Sequence, residues 1–252
     1  NNNKATDFKE KFKQALSSTV RVIVDDFKIT NKHSENKDSK KFNLFELDKL
    51  NDKNDFIKAR AESDSAALKK KFSDDKIYNK NLPKNSSYKS LYLIAEKIRY
   101  ESLGGKMLKG IEKNYKDNYN LILGLKRKEQ LKSKDDVSVS EAFELYMLKN
   151  FHNIKMNALT NKMLSFWKKD FDQSINGHIE FLKNNLESQD NYSSRFSEIL
   201  QKMDIFQSQE NDKTDEEKQN DEQNNPTDDE QQNDSEDKSD ENNSEESETS
   251  LE

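Results

Sequence analysis

The stretch IAEKIRYESLGGKMLKGIEKNY, residues 94–115, says more about the fold of this chain than any other part of it. Its apolar residues recur at the spacing of one helix face: Ile94, Ile98 and Leu103. That spacing predicts a helix across the stretch. Three charged residues stand among these apolar positions instead of opposite them: Glu96, Arg99 and Glu101. For a helix with one apolar face, the charges are therefore in unusual places.

The simplest interpretation of these charges is a pair of surface ion pairs. Glu96 and Arg99 are three residues apart, and Lys97 and Glu101 are four residues apart. Both spacings allow an ion pair along one helix. At the surface, each pair would contribute less than about 1 kcal/mol. The alternative is a partly buried ion network, and the sequence leaves both interpretations open.

A second helix is predicted over Asn54 to Phe72, and it carries an acidic pair, Glu62 and Asp64. Because these carboxylates are two residues apart, they diverge by about 200° on a helix and cannot share a proton or a metal ion. We therefore expect them on a solvated helix face. If the charges of residues 94–115 are buried, their network would orient the two helices through Arg60 and Glu62. Gly104-Gly105 would then mark a bend or a close approach of two backbones.

Charge is distributed unevenly along the 252 residues. Residues 207–252 contain 19 acidic and 3 basic side chains, a net charge of −16, whereas residues 1–206 contain 40 basic and 30 acidic side chains, a net charge of +10. The acidic segment has one apolar residue, Leu251, which cannot offset the entropy lost on ordering. The sequence predicts a disordered acidic linker or tail over 207–252 and one helical domain over 1–206, long enough for a sizeable core.

The predicted fold class is mainly α, a multi-helix domain followed by the acidic tail. Helical spacing of apolar residues predicts six further helices: Thr6 or Asp7 to about Asp25, Asn118–Leu131, Ser138 to about Phe151, Ile154–Lys169, Phe171–Leu186 and Tyr192–Phe206. Apolar alternation in DFKIT (26–30) and KFNLFEL (41–47) predicts a small two-stranded β-hairpin near the N-terminus. Two strands are marginal alone, so we expect them to pack on the helices.

Most catalytic signatures are missing from the sequence. It has no Gly-rich phosphate loop followed by Lys and Ser or Thr, no HExxH and no nucleophile elbow. The histidines His33, His152 and His178 are scattered, and we expect each in a loop or at the surface and not on a metal. There is no cysteine, and no apolar run approaches the roughly 20 residues that span a bilayer. These features favour a cytoplasmic protein without catalytic or metal-binding residues in this chain.

Three stretches resemble the N-terminal region of the T subunit of aerobic cobaltochelatase. FKEKFKQALSSTVRVI (8–23) is similar to the opening helix of that family at Phe12, Lys13, Ala15, Leu16, Thr19 and Arg21. RAESDSAALKKKF (60–72) is similar to its Arg-Gly-x-Ala-Asp-x-x-Ala-Leu segment at Arg60, Asp64, Ala67 and Leu68, with Ala61 in place of the glycine. EKIRYESLGGKMLKGIEKNY (96–115) matches a third family stretch at Glu96, Arg99, Glu101, Gly104, Met107 and Gly110.

The resemblance implies a subunit of an ATP-dependent cobaltochelatase, which inserts cobalt into hydrogenobyrinic acid a,c-diamide in aerobic cobalamin biosynthesis. The implied partners are an AAA+ ATPase, the S subunit, and the large corrinoid-binding N subunit, and neither a membrane nor nucleic acid is expected. The complex would use ATP, magnesium and cobalt, with no cofactor on this region, and whether the chain is itself an enzyme stays open. The matched residues are implied to be structural or docking residues: Arg60, Asp64, Glu96, Arg99, Glu101, Gly104, Met107 and Gly110.

The chain departs from this family at two places. Family members often have paired histidines after the second helix, where this sequence has FSDD, residues 72–75. They also continue past the acidic linker into a von Willebrand A-type domain with a magnesium site, which we expect to be missing here. The basic body leaves two alternatives, a helical protein associated with nucleic acid or a scaffold without chemistry. Against the first, the basic residues are spread along the chain and no groove-reading motif is present.

Overall fold

The structure is a computed structural model that describes residues 2–25, 30–31, 41–42, 50–125, 131–203 and 205. Within these ranges the chain forms ten α-helices: α1 (Asn2–Val24), α2 (Lys53–Phe72), α3 (Asp75–Asn81), α4 (Ser86–Met107), α5 (Lys109–Leu125), α6 (Val139–Phe151), α7 (Ala158–Ser165), α8 (Lys168–Ser174), α9 (Ile179–Asn184) and α10 (Gln189–Gln201). Short 3-10 turns precede α6 and α9, at Lys134–Asp136 and Asn176–His178. The prediction of a mainly helical domain is confirmed.

The predicted β-hairpin is not supported. Two strands of two residues each are present, β1 (Thr30–Asn31) and β2 (Lys41–Phe42), and they pair in parallel with Thr30 opposite Lys41. The strands of a hairpin run antiparallel, so this pairing has a different topology. The rest of both predicted strands, and also residues 207–252 with the predicted disordered tail, lie outside the described residues. The domain boundary after residue 206 therefore stays a prediction.

Side-chain caps explain where several helices begin. The Asp52 carboxylate accepts the N–H groups of Asn54 and Asp55, and the Asp55 carboxylate accepts the N–H of Asp52 in return. This reciprocal capping box satisfies N–H groups that have no partner within the helix, and α2 begins directly after it. Ser138 caps α6 as the sequence predicts, by accepting the N–H of Glu141 at 3.2 Å. Helix α1 begins earlier than predicted, at Asn2.

Residues 94–115 form the end of α4 and the beginning of α5, and not the single helix that their spacing predicts. Leu108 separates the two helices with an extended backbone, φ −139° and ψ 119°. Its N–H donates to the carbonyl of Gly104 at 2.9 Å and so closes α4. As a result, α5 begins at Lys109 and not at Asn118. Leu108 is neither glycine nor proline, so nothing at that position marks the break in the sequence.

The short helix α3 has no counterpart among the predicted elements. Asp74 caps it, because its carboxylate accepts the N–H groups of Lys76 at 2.7 Å and Ile77 at 3.3 Å. The helix ends before Leu82, which precedes Pro83 and has an extended backbone. A residue before proline is disfavoured in the helical conformation, which accounts for the short length of α3.

The region after α6 is more broken than predicted. The three long helices expected over 154–206 are four shorter ones, α7 to α10. The chain turns between α7 and α8 at Trp167, whose indole N–H donates to the carbonyl of Val137 at 2.9 Å. This tertiary contact holds the ring in the core, where it is 7% exposed. Between α8 and α9 lies the 3-10 turn that contains Gly177.

Helix α4 occupies the centre of the body. It packs against α2, α5, α6 and α10, and half of its residues are buried. Its fully buried apolar side chains lie at helical spacing: Leu91, Tyr92, Ala95 and Ile98. Three charged residues of this helix, Glu96, Arg99 and Glu101, are buried among these neighbours. None of the described helices is both long enough and apolar enough to cross a membrane.

Candidate functional site

Arg99 is the centre of a buried polar network on α4. The residue is 0% exposed, and its guanidinium makes four hydrogen bonds. Nε donates to Glu96 at 3.3 Å, and Nη1 donates to the carbonyl of Leu186 at 3.1 Å. Nη2 donates to the carbonyl of Phe72 at 2.7 Å and to the hydroxyl of Ser73 at 3.2 Å. Phe72 is the last residue of α2, so the arginine satisfies a carbonyl that the helix leaves without an internal partner.

Glu96 joins this network to α10 and to the start of α3. Its carboxylate accepts the hydroxyl of Ser193 at 2.5 Å and the amide N–H of Gln189 at 3.3 Å. The same Gln189 accepts the backbone N–H of Asp74 at 2.7 Å. A buried carboxylate is stable only when its lone pairs are satisfied, and here both oxygens have partners. The ion pair therefore fixes α4 to the α2–α3 connection and to α10.

The two interpretations of these charges can now be separated. Glu96, Arg99 and Glu101 are between 0% and 3% exposed, so surface ion pairs are excluded and the buried network is correct. Its predicted partners are wrong. Arg60 and Glu62 are both exposed, and the network instead contacts the end of α2 and the first turns of α10. Arg99 contacts the last residue of α2, Phe72, which lies about three turns beyond Arg60.

Glu101 faces the opposite side of the network, between α2 and α5. It accepts the hydroxyl of Ser65 at 2.7 Å and the phenol of Tyr119 at 2.8 Å. Lys97, its predicted partner, is half-buried and lies 4.0 Å from the carboxylate, the outer limit of an ion pair. Burial raises the pKa of Glu101 above its ordinary value, while Lys97 and the two hydrogen bonds oppose that rise.

Asp64 is buried, which contradicts the expected solvated helix face. It is 2% exposed, and its Oδ2 accepts the side-chain amide of Asn114 on α5 at 2.6 Å. Its Oδ1 is buried without a partner among the described residues. Burial raises the pKa of Asp64, opposed by Asn114 and by the charge of Arg60 one turn earlier. The sequence held a signal for this position, because Ala61, Asp64 and Leu68 follow one helix face.

The glycine pair allows close packing of α4 against both neighbours. A Cβ atom on Gly104 would lie 2.4 Å from a Leu68 methyl group of α2. A Cβ atom on Gly105 would lie 2.6 Å from the hydroxyl of Tyr115 on α5. Both distances are below van der Waals contact, so only glycine fits without rearrangement. Side chains of α2 and α5 therefore lie directly against the two glycines, and α4 continues through both of them to Met107.

The last two matched residues of this stretch lie at the surface. Met107 is 39% exposed at the end of α4, and the following Leu108 is 40% exposed. A Cβ atom on Gly110, in the first turn of α5, would meet no atom within 4 Å. Neither Met107 nor Gly110 takes part in the buried network. Packing of the described residues therefore does not explain them.

Arg60 also lies at the surface, away from the buried charges. Its guanidinium stands over the ring of Phe12 on α1, 5.5 Å from the centroid. Such a contact between a cation and an aromatic ring contributes about 0.5–1 kcal/mol at an exposed site. Arg60 and Phe12 line a groove between α1, α2 and α5. Arg60 is therefore a predicted site residue that faces a groove.

His152, expected in a loop or at the surface, is buried. It is 2% exposed directly after α6 and stacks on Tyr115, with ring centroids 4.3 Å apart. Neither ring nitrogen has a hydrogen-bond partner among the described residues. Burial lowers the pKa of His152 to about 3, so the ring is neutral at physiological pH. Leu145, Leu148 and His152 share one helix face, and this spacing could have indicated burial.

The arrangement provides structural connections and no recognisable reaction centre. Glu101 and Asp64 are enclosed between helices and committed to hydrogen bonds from Ser65, Tyr119 and Asn114. Within the part of the chain that the structure describes, no group of three or more His, Asp or Glu side chains converges to hold a metal ion. What the buried charges can do is fix four helices in one arrangement.

Comparison with known proteins gives the family. Searches of curated proteins and of solved structures found no significant match to this chain. The profile of the family described as "Cobalamin biosynthesis protein CobT" matches residues 7–252. That match covers most of the chain and includes all three stretches on which the resemblance rests. The chain belongs to the family of the cobalamin biosynthesis protein CobT.

Proposed function

We propose that this chain is a docking subunit of an ATP-dependent cobaltochelatase in aerobic cobalamin biosynthesis. In this role it supports insertion of cobalt into hydrogenobyrinic acid a,c-diamide without carrying out the reaction itself. Its partners are the AAA+ ATPase S subunit and the large corrinoid-binding N subunit, which supply the sites for ATP, magnesium and the corrinoid. Family membership supports the link to cobalamin biosynthesis.

The burial of the charged motif is the observation that favours docking over catalysis. Arg99 is fully enclosed, and all of its hydrogen bonds go to Glu96, a helix end and connecting segments. A catalytic acid or base must reach a substrate, whereas these side chains reach only other parts of the chain. The motif stabilises a helical platform whose surface is available to partners.

The arrangement of the lysines disfavours the nucleic-acid alternative. Several of them pair with a carboxylate one helical turn away: Lys11 with Asp7, Lys113 with Asp117, Lys116 with Glu112 and Lys168 with Asp172. Binding to phosphates depends on clustered basic residues that can release counterions. Locally neutralised lysines reduce that contribution. The net positive charge of residues 1–206 therefore does not indicate a phosphate-binding face.

Reconstitution with the two partner subunits tests the proposal. The full chain, carrying an affinity tag, is mixed with the S and N subunits of the same organism, with and without ATP. We expect capture of the S subunit in the presence of ATP, and cobalt insertion only when all three proteins are present. Insertion is followed by the absorbance change of hydrogenobyrinic acid a,c-diamide.

Two outcomes would contradict the proposal. The first is absence of any complex with either subunit when ATP is present. The second is full cobalt insertion by the S and N subunits alone. Binding of the chain to random duplex DNA with a steep salt dependence would instead favour the nucleic-acid alternative.

A further inference from the structure

A groove with three phenylalanines among its lining residues runs between α1, α2 and α5. Its volume is about 630 Å³. Its apolar lining comes from four side chains of the first two helices: Phe8, Phe12, Phe56 and Ile57. Asn114, Asp117 and Asn120 of α5 form the opposite wall. A concave, mainly apolar surface with polar groups at its edge is the usual form of a binding groove.

The phenylalanines form one cluster that is only partly covered. The rings of Phe12 and Phe56 are 4.8 Å apart at an interplanar angle of 80°, and the rings of Phe8 and Phe56 are 5.4 Å apart at 64°. Phe8 is 58% exposed. Among the large apolar residues whose exposure the structure describes, few are more exposed. An aromatic ring that packs on a second ring, as Phe8 does on Phe56, and is still open to solvent is the kind of residue that dominates binding energy in interfaces.

The charged residues around the groove are mainly basic. Arg60 stands over Phe12, and Lys53 lines the same groove. Lys113 pairs with Asp117 at 2.6 Å, which leaves these two residues neutral together. Among the described residues, no carboxylate lies within ion-pair distance of Arg60 or Lys53. The charge of Arg60 acts on the buried carboxyl of Asp64, one turn further along α2. The groove therefore combines aromatic anchors with two basic side chains, Arg60 and Lys53.

From these observations we infer that the groove binds an amphipathic helix of the S subunit, with apolar side chains on the three phenylalanines and an acidic side chain facing Arg60. The inference rests on the proposed docking function, which supplies the partner. An amphipathic helix in a groove buries its apolar face, and its carboxylate gains the guanidinium. A second copy of this chain fits less well. In a two-fold dimer the same surface meets itself, so Arg60 and Lys53 would face like charges.

Binding of the S subunit to matched variants of the full chain tests the inference. Phe8→Ala removes the exposed anchor, and Arg60→Glu reverses the charge. We expect each to weaken binding about tenfold or more, because loss of a central aromatic or arginine usually has at least this effect. Both residues are exposed, and loss of the contact between Arg60 and Phe12 should lower the melting temperature by no more than about 4 °C. Affinity is measured by titration calorimetry in the presence of ATP.

Two control variants change similar side chains elsewhere. Leu93→Ala removes an apolar residue that is 57% exposed on α4. Arg195→Glu reverses an arginine that stands over the ring of Phe181 at 4.7 Å, the same kind of contact as that of Arg60. Both are expected to bind the S subunit like the wild type. If they weaken binding as much as the groove variants do, the effect is not specific to the groove and the inference is wrong.

The possible results separate this inference from the proposed function. If the wild type binds the S subunit and the groove variants bind equally well, the inference is overturned and the docking function stands. If the wild type binds no S subunit, the docking function fails, and a short helical peptide with leucines on one face and flanking glutamates decides the inference. In that case, the inference that the groove binds an acidic amphipathic helix is supported if three results are obtained: this peptide binds, the version with lysines does not bind, and Phe8→Ala abolishes binding. Any other result overturns the inference. A concentration-dependent dimer that Phe8→Ala disrupts would show that a second copy occupies the groove and would also overturn the inference.

Discussion

Replacement of Arg99 by leucine should destabilise the whole body of the protein. The guanidinium is fully buried and makes four hydrogen bonds, one of them to the carboxylate of Glu96. Leucine fills part of the space but donates none of these bonds. The carbonyls of Phe72 and Leu186 lose their donor, and Glu96 stays buried with only the Ser193 and Gln189 donors.

The size of the loss follows from what remains after the substitution. Breaking a buried ion pair by removing one partner costs about 3–5 kcal/mol, because the other charge is left uncompensated. For a body of about 200 residues, 1 kcal/mol corresponds to about 2–4 °C in melting temperature. Arg99→Leu should therefore lower the melting temperature by roughly 10 °C and weaken assembly with the S subunit at the same time. Removing the charge of Glu96 as well should restore part of the stability.

Urea unfolding, followed by circular dichroism, measures these differences. The comparison uses the wild type, Arg99→Leu, Glu96→Gln and the double variant Glu96→Gln/Arg99→Leu. The coupling energy from this cycle reports the pairwise interaction, since the two residues are in contact. We expect the double variant to be more stable than Arg99→Leu alone. A loss below about 1 kcal/mol for Arg99→Leu, or unchanged stability together with lost cobalt insertion, would refute the structural role and return the motif to a functional one.

Three further predictions concern other buried positions. Gly104→Ala should lower the free energy of unfolding by about 1–3 kcal/mol, because the new Cβ atom would lie 2.4 Å from Leu68. Gly110→Ala should leave the free energy of unfolding unchanged or raise it by about 0.5 kcal/mol, because nothing lies within 4 Å of its new Cβ atom. Burial raises the pKa of the Glu101 carboxyl above 4.5. Above pH 4.5, this carboxyl therefore binds more protons in the folded protein than in the unfolded protein. The stability of the wild type relative to Glu101→Gln should thus fall as pH rises through that window, and a flat difference would contradict this. His152 has the opposite sign, since its pKa falls from 6.5 to about 3 on folding. Relative to His152→Phe, the wild type should lose about 1.4 kcal/mol per pH unit below 6.5.

The sequence predicted the helical class and the unusual status of residues 94–115 because both depend on local spacing. Apolar periodicity fixed the presence of α1, α2, α4 and α6, and a capping serine fixed the start of α6 at Ser138. The close approach at Gly104-Gly105 could also be anticipated, since glycine inside a helix usually has a packing reason. These features depend on a few neighbouring residues, and a single sequence contains that information.

Features that depend on distant contacts could not be predicted in the same way. Apart from Glu96, the partners of Arg99 are residues 26, 27 and 87 positions away, and no local pattern connects them to it. The break at Leu108 has no glycine or proline to mark it. The burial of Asp64 could be predicted from the sequence only if helical spacing was given more weight than the usual preference of aspartate for the surface. The groove at Phe8 forms only when three helices, α1, α2 and α5, come together.

The matched residues divide into two groups with different physical roles, and this division can be tested. Glu96, Arg99 and Gly104 are enclosed, so changes there should alter stability and assembly together. Arg60 is exposed on the groove, so changes there should weaken assembly while the free energy of unfolding falls by no more than about 1 kcal/mol. If the docking proposal is right, plots of affinity against stability should place the two groups on different lines. If all variants fall on one line, affinity for the S subunit depends only on the stability of the fold, and the groove has no part in recognition.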